Sequence, residues 1–345
     1  MKKSFKLAGL VMISAIVLQC KKQNETVSST PDHTDTTSTV VEDPKQEKDS
    51  VEVPKKDSIV KPERPKVSIK SNSDYSAWPM KGNDSLRKVF LNTYKGEELH
   101  NILALNRLDR KNMGQADTLI VPNKLESNFL AYSPFPEYVE AMSSIPKIAF
   151  FSYPIQAYAL YENGKLVKWG PTSMGSKAHQ TTRGLHFTNW KGKEIISTVS
   201  DEWKLKWNFN IANHEGIGWH QYSMPGYPAS HSCLRLLEED AKWMYDWGEQ
   251  WVLNKGGATV RAKGNPVIVY GDYPWGQRRP WKKLMDDPKA NDISEEQLTE
   301  IVTPFLAEIK KQQDNRVKVL DEVKKEKEQA KQQQDTAKPK TTIYD

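Results

Sequence analysis

Between residues 146 and 271 the sequence predicts a mainly β domain, a sandwich or barrel of short strands with one or two helices. Three observations predict it. Runs rich in β-formers recur at Ile148 to Ser152, Ala157 to Tyr161, Leu166 to Trp169 and Val267 to Tyr270. The pair Asn163-Gly164 falls between two of these runs, and Asn-Gly is the strongest short hairpin signal because both residues tolerate positive φ. Further short strands with glycine turns continue to Asn213, and only residues 237 to 253 carry a helical pattern, with Trp243, Trp247 and Trp251 four apart. A tryptophan stripe at that spacing is expected to pack into the core.

The flanks differ in character. Residues 78–123 predict a small α+β segment: a turn at Lys81-Gly82-Asn83, a helix with Asp84 as candidate N-cap, and a second apolar stretch at Leu99, Ile102, Leu103 and Leu105. A polar turn and the strand-like Thr118-Leu119-Ile120-Val121-Pro122 follow. On Asp84-Ser85-Leu86, Leu105-Asn106 and Asp117 to Pro122, this segment resembles a LysM module, a small βααβ fold that binds the glycan of peptidoglycan or chitin. The other reading is a packing extension of the next domain. Residues 272–345 form a charged helical and disordered tail. Within it, residues 294 to 335 are rich in Glu, Lys and Gln with sparse apolar positions at Phe305, Ile309, Val317 and Leu320. That pattern predicts a solvated, partly frayed helix, and residues 336 to 345 are expected to be disordered.

The N-terminus carries an export signal. Lys2, Lys3 and Lys6 precede an apolar run from Leu7 to Leu18, which is short for a spanning helix. Val17-Leu18-Gln19-Cys20 resembles a bacterial lipoprotein cleavage site, with Gln19 where a small residue is usual. The resemblance makes residues 1–20 a lipoprotein-type signal segment with a lipid on Cys20; a retained anchor and ordinary secretion are the alternatives. Residues 21–74 predict a disordered linker, with no aromatic residue between Phe5 and Tyr75. A coil of about 50 residues spans on the order of 40 Å, enough to let a membrane-anchored domain reach material away from the bilayer. The chain has 50 basic and 44 acidic residues, a net charge of +6, and a mean hydropathy of -0.72. So mild a balance gives no ground for nucleic acid as a partner.

The chain has two cysteines, so a lipidated Cys20 leaves Cys233 unpaired. Cys233 lies in Ser230-His231-Ser232-Cys233-Leu234-Arg235-Leu236, downstream of His214 and His220. A cysteine attacks as its thiolate and so needs a base or a positive environment. His231, two residues away, would share a strand face with it. His220, thirteen residues upstream, suits an adjacent strand end joined by a loop containing Pro225, Gly226 and Pro228. Zinc is the competing use of these side chains, but no short His-x-x-x-His or Cys-x-x-Cys pairing is present, so neither metal nor cofactor is expected.

These residues carry a family resemblance across the domain. Residues 147 to 270 resemble the catalytic domain of the YkuD-type L,D-transpeptidases. The upstream half matches at Leu160 to Lys168, Ser173-Met174-Gly175 and Thr181-Thr182-Arg183-Gly184; the site matches at His220, at Ser230 to Cys233 and at Arg235. The resemblance implies an enzyme that acts on peptidoglycan stem peptides in a bacterial envelope or periplasm, with Cys233 as nucleophile and His220 as base. It gives His231 an orienting role, and Arg235 a substrate carboxylate to pin or a loop to brace. Ser230 and Ser232 fall in the substrate and oxyanion region, and Gln221 stands where a third member would hold His220 through its carbonyl. Two features depart from the family: Ser232 stands where glycine is usual, and the loop from His220 to Cys233 is short. A serine there is costly only if φ is positive. An L,D-carboxypeptidase with the same site, and a non-catalytic peptidoglycan-binding lipoprotein, are the alternative functions.

Overall fold

A computed structural model of the chain describes residues 64–197 and 200–337. The expected export signal, Cys20 and most of the expected linker lie outside them, as do residues 338–345. The first elements are β1 (Tyr75–Pro79), α1 (Asp84–Thr93), α2 (Gly96–Leu105) and β2 (Thr118–Pro122). β1 and β2 pair antiparallel, Tyr75 opposite Pro122 and Pro79 opposite Thr118, so the unit has βααβ order. Its own core holds Phe90, Leu99, Ile102, Leu119 and Val121, with Trp78, Phe90 and Tyr94 in ring contact. The cap of α1 is Asn83, not Asp84: the Asn83 side chain accepts from Leu86 N at 3.0 Å, and Asp84 is the first helical residue. Both are good caps, and one residue of phase separates them.

The larger body follows. Its strands are β3 (Ile148–Ser152), β4 (Ala157–Glu162), β5 (Lys165–Pro171), β6 (Gly184–Phe187), β7 (Lys191–Ile196), β8 (Lys204–Ala212), β9 (Ile217–Gln221) and β10 (Leu234–Leu236). Helix α3 (Glu238–Trp247), β11 (Val252–Leu253), β12 (Val260–Ala262) and β13 (Pro266–Tyr270) complete it. A five-stranded sheet has the order β5-β4-β3-β13-β6 and a four-stranded sheet the order β10-β9-β8-β7. Both feed one core, in which Phe151 of β3 stacks on Trp219 of β9 with ring centroids 6.1 Å apart. The β4–β5 hairpin turns at Asn163 and Gly164, both at positive φ (48° and 81°), which is the turn geometry that Asn-Gly favours.

The helical stretch is shorter than its tryptophan spacing predicts. α3 stops at Trp247 because Gly248 is extended and packed against the Phe209 ring, where a β-carbon would lie 2.4 Å from Phe209 Cε1. Lys191 Nζ takes up the end of the helix, donating to Tyr245 O at 2.7 Å and Gly248 O at 3.3 Å. Trp251 therefore lies outside the helix, and Trp243 is exposed and stacked on the buried Trp247 rather than sunk in the core.

The tail folds back on the domain through α4 (Glu295–Val302) and α5 (Leu306–Ala337). Ser294 and Gln297 form a capping box at the start of α4. Leu298, Val302, Ile309 and Val319 are the buried contacts, while Val317 and Leu320 face solvent. Arg316 of α5 donates to Glu249 and to the carbonyls of Gln250 and Lys263. Residues 64–74 run along the same body, with Ser68 and the Ile69 N–H donating to Glu137 and Ser71 N donating to Ala131 O.

Candidate active site

The site forms where β9 and β10 end side by side. These strands are parallel, with Arg235 level with His220, and Cys233 precedes the ladder. The sheet core sets the position of both strands, because Trp219, Leu234 and Leu236 between the functional residues are fully buried. Cys233 and His220 line one small pocket together with Ser230, His231, Arg235, Ser197, Trp203, Leu205 and Tyr222. Its free volume is about 30 Å³, the space of a single water molecule.

His220 is buried, and its Nδ1 lies 3.0 Å from the carbonyl oxygen of Gln221. That oxygen can only accept, so Nδ1 carries the proton and Nε2 is left as the basic nitrogen. Burial pushes the imidazole down to about 4 from its ordinary 6.5; the Gln221 carbonyl opposes the shift and the Arg235 charge adds to it. The Cys233 thiol is pushed up by burial, with the Gly218 backbone and the Arg235 charge working the other way. At neutral pH the resting pair is therefore a thiol and a neutral imidazole. Sγ lies 3.8 Å from Gly216 O.

The loop that carries Cys233 is held by its own atoms and by an upstream segment. Ser230 Oγ donates to Cys233 O at 2.5 Å, so its hydroxyl is committed to the turn rather than to a substrate. Ser176 N donates to Ser230 O, while Ala229 N and Ser230 N both donate to Met174 O. Ser173 exchanges backbone bonds with Arg235 in both directions. The buried Thr181 donates from Oγ1 to Ser232 O at 2.8 Å and accepts from Gly175 N at 3.1 Å. Among the described residues, the backbone N–H groups of Ser232 and Cys233 have no protein acceptor.

Residues 230–233 are a turn, not a strand, so the shared-face reading of His231 and Cys233 does not apply. His231 is exposed and stacks on His179 (4.4 Å between centroids), with Trp203 at 5.3 Å. Arg235 lies over the Tyr222 ring at 4.7 Å, and its Nη1 reaches Ser223 O at 3.4 Å. Gln221 serves His220 through its backbone; its side chain lines a neighbouring groove. Trp203 and His179 are the site residues that local sequence logic does not reach, since they arrive from the turn before β8 and the loop between β5 and β6. Among the described residues no group of three or more His, Cys, Asp or Glu side chains could hold a metal ion.

Ser232 has φ of 84°, the left-handed region in which a β-carbon is strained. Relief of that strain outweighs the entropy that glycine adds to the unfolded chain, so Ser232→Gly should stabilise the protein by about 1 kcal/mol. Urea unfolding of both proteins measures this, and a loss of stability would refute the strain assignment.

The sequence has known relatives. A curated relative, L,D-transpeptidase 2 of Mycobacterium tuberculosis (strain CDC 1551 / Oshkosh), is 25% identical over 138 residues, which are 34% of this chain and 33% of the relative. The chain thus spans about a third of the length of that curated relative. Among solved structures, an L,D-transpeptidase from Stackebrandtia nassauensis is 23% identical, over 37% of this chain and 57% of its own, with a TM-score of 0.30. L,D-transpeptidase 3 from Mycobacterium tuberculosis is 18% identical, over 36% and 61%, with a TM-score of 0.29. Residues 146–269, which carry every residue of the pocket, match the YkuD family model, the L,D-transpeptidase catalytic domain.

Proposed function

We propose that this domain performs cysteine-dependent acyl transfer on peptidoglycan stem peptides, as an L,D-transpeptidase. The observation that carries the reading is a buried, neutral imidazole, tautomerically fixed by Gln221 O, in one pocket with the Cys233 thiol. His220 Nε2 takes the thiol proton as Sγ attacks the carbonyl of the third stem residue. The bond to the terminal D-amino acid breaks, and that amine leaves with the proton from His220. A thioester to Cys233 remains. The amine of a second stem attacks it, the C–S bond breaks, and the proton returns to sulfur through His220. The free N–H groups of Ser232 and Cys233 are the candidate donors to the oxyanion in both steps.

In this reading the chain is an exported envelope protein tethered by a lipid on Cys20, and the βααβ unit engages glycan near the stem. Incubation with isolated peptidoglycan, followed by mass spectrometry of the digested fragments, tests the reaction. Dimers joined between two third residues are expected. Tripeptides alone would replace transpeptidation with L,D-carboxypeptidase action. Neither product, together with no labelling by a carbapenem, would leave a non-catalytic wall-binding lipoprotein.

A further inference from the structure

The catalytic pocket holds little more than a water molecule, so anything recognised beyond the reacting carbonyl must lie outside it. A much larger groove, about 860 Å³, adjoins it and falls in the size range of ligand sites. Tyr222 lines both spaces. One wall of the groove is α2 and residues 108–111 of the βααβ unit; the other is residues 221–223 and the start of α3. The first wall lies outside the segment that matches the catalytic-domain family, so the groove is a composite of this particular chain.

The wall nearest the chemistry is fixed. Asp109 N donates to Met224 O at 3.1 Å, Met224 N donates to Asp109 Oδ2 at 2.8 Å, and Asn112 Nδ2 donates to Ser223 Oγ at 2.8 Å. Leu108 forms an isolated bridge with Pro225. The loop that joins His220 to Cys233 is thereby bolted to the βααβ unit, and the groove keeps a set relation to the nucleophile. Its exposed rim carries both signs of charge, Arg110 and Lys111 on one wall and Glu238 and Glu239 on the other, with Glu97 on the first wall and Lys204 also in the lining.

We infer that this groove binds the acceptor, a peptide stem bearing a free primary amine and its own carboxylates. The inference rests on the transpeptidase reading above. A stem of this kind is zwitterionic: its carboxylates match Arg110 and Lys111, and its ammonium matches Glu238 and Glu239. Tyr222 is the side chain that the groove shares with the pocket of Cys233. A nucleic acid would need one sign of charge, and a sugar platform would need an open aromatic face, whereas of the two rings in the groove Tyr222 is covered by Arg235 and the other is the small imidazole of His100.

The test is a calorimetric titration of the full-length Cys233→Ala protein with synthetic L-alanyl-γ-D-glutamyl tripeptides ending in lysine or diaminopimelate. Arg110→Glu/Lys111→Glu and Glu238→Gln/Glu239→Gln should each raise Kd at least tenfold, and acetylation of the side-chain amine should do the same. Wild-type protein acylated by a carbapenem should still bind the tripeptide. Unchanged Kd in both double variants would overturn the inference, as would loss of binding on acylation, which would put the peptide in the catalytic pocket. Because the titration needs no turnover, a failure of Cys233 to react would count against the transpeptidase reading alone.

Discussion

Cys233→Ala should lose turnover of stem peptides by at least about a thousandfold, because the hydroxyls left in the pocket are far weaker nucleophiles than the thiol. Its neighbours there are a base, a cation, hydroxyls and aromatic rings. The same variant should gain no mass on exposure to a carbapenem, while the wild type gains one adduct. The fold should be nearly untouched. Cys233 is only half-buried and its sulfur meets only backbone, Gly216 O at 3.8 Å and the Gly218 backbone, so the change in stability should stay within about 1 kcal/mol. Intact-protein mass spectrometry and thermal unfolding separate the two effects. Retained turnover in Cys233→Ala would end the case for a cysteine enzyme. Retained structure with lost turnover would place the sulfur in the chemistry rather than in the packing.

The route to Cys233 was legible in the sequence because its signals are local. The β4–β5 hairpin is written in Asn163-Gly164, whose two left-handed residues sit where that dipeptide predicts them. His220 and Cys233, thirteen residues apart, come into one pocket because the buried Trp219, Leu234 and Leu236 beside them fix the two parallel strands. What stayed hidden depends on partners distant in the chain. The end of α3 at Trp247 is set by Phe209 and Lys191, not by the run of tryptophans. The positive φ of Ser232 follows from bonds made by Ser230, Thr181 and Met174, and no property of serine announces it. The clamp from Asp109 to Met224 joins residues that nothing in their own neighbourhoods pairs. Arg107 is a further case: its guanidinium is fully buried against Trp281, donates to the carbonyls of Leu105 and Ile155, and ties the βααβ unit to the domain from inside.

His220→Gln should slow acylation of Cys233 by about a hundredfold to ten-thousandfold at neutral pH, the usual contribution of a positioned base. The pH dependence carries the sharper content. In the wild type the base is lost only when the buried imidazole protonates, so the acid limb should fall near the depressed value of about 4 and not near the ordinary 6.5. In the variant the only nucleophile is thiolate formed without help. Since burial raises the thiol, the residual rate should climb with pH well into the alkaline range. Stability should follow the same group. An imidazole whose folded value lies below its unfolded value takes up protons preferentially in the unfolded chain, so stability is full above about 6.5 and is lost as pH falls towards about 4. The interval from 6.5 to about 4 corresponds to at most about 3 kcal/mol. His220→Gln should lack that loss, so the stabilities of variant and wild type should shift relative to each other across the same window. Urea unfolding at a series of pH values measures it. An acid limb near 6.5, or the same pH slope in both proteins, would mean that His220 titrates as an exposed histidine and that the base must be sought elsewhere in the pocket.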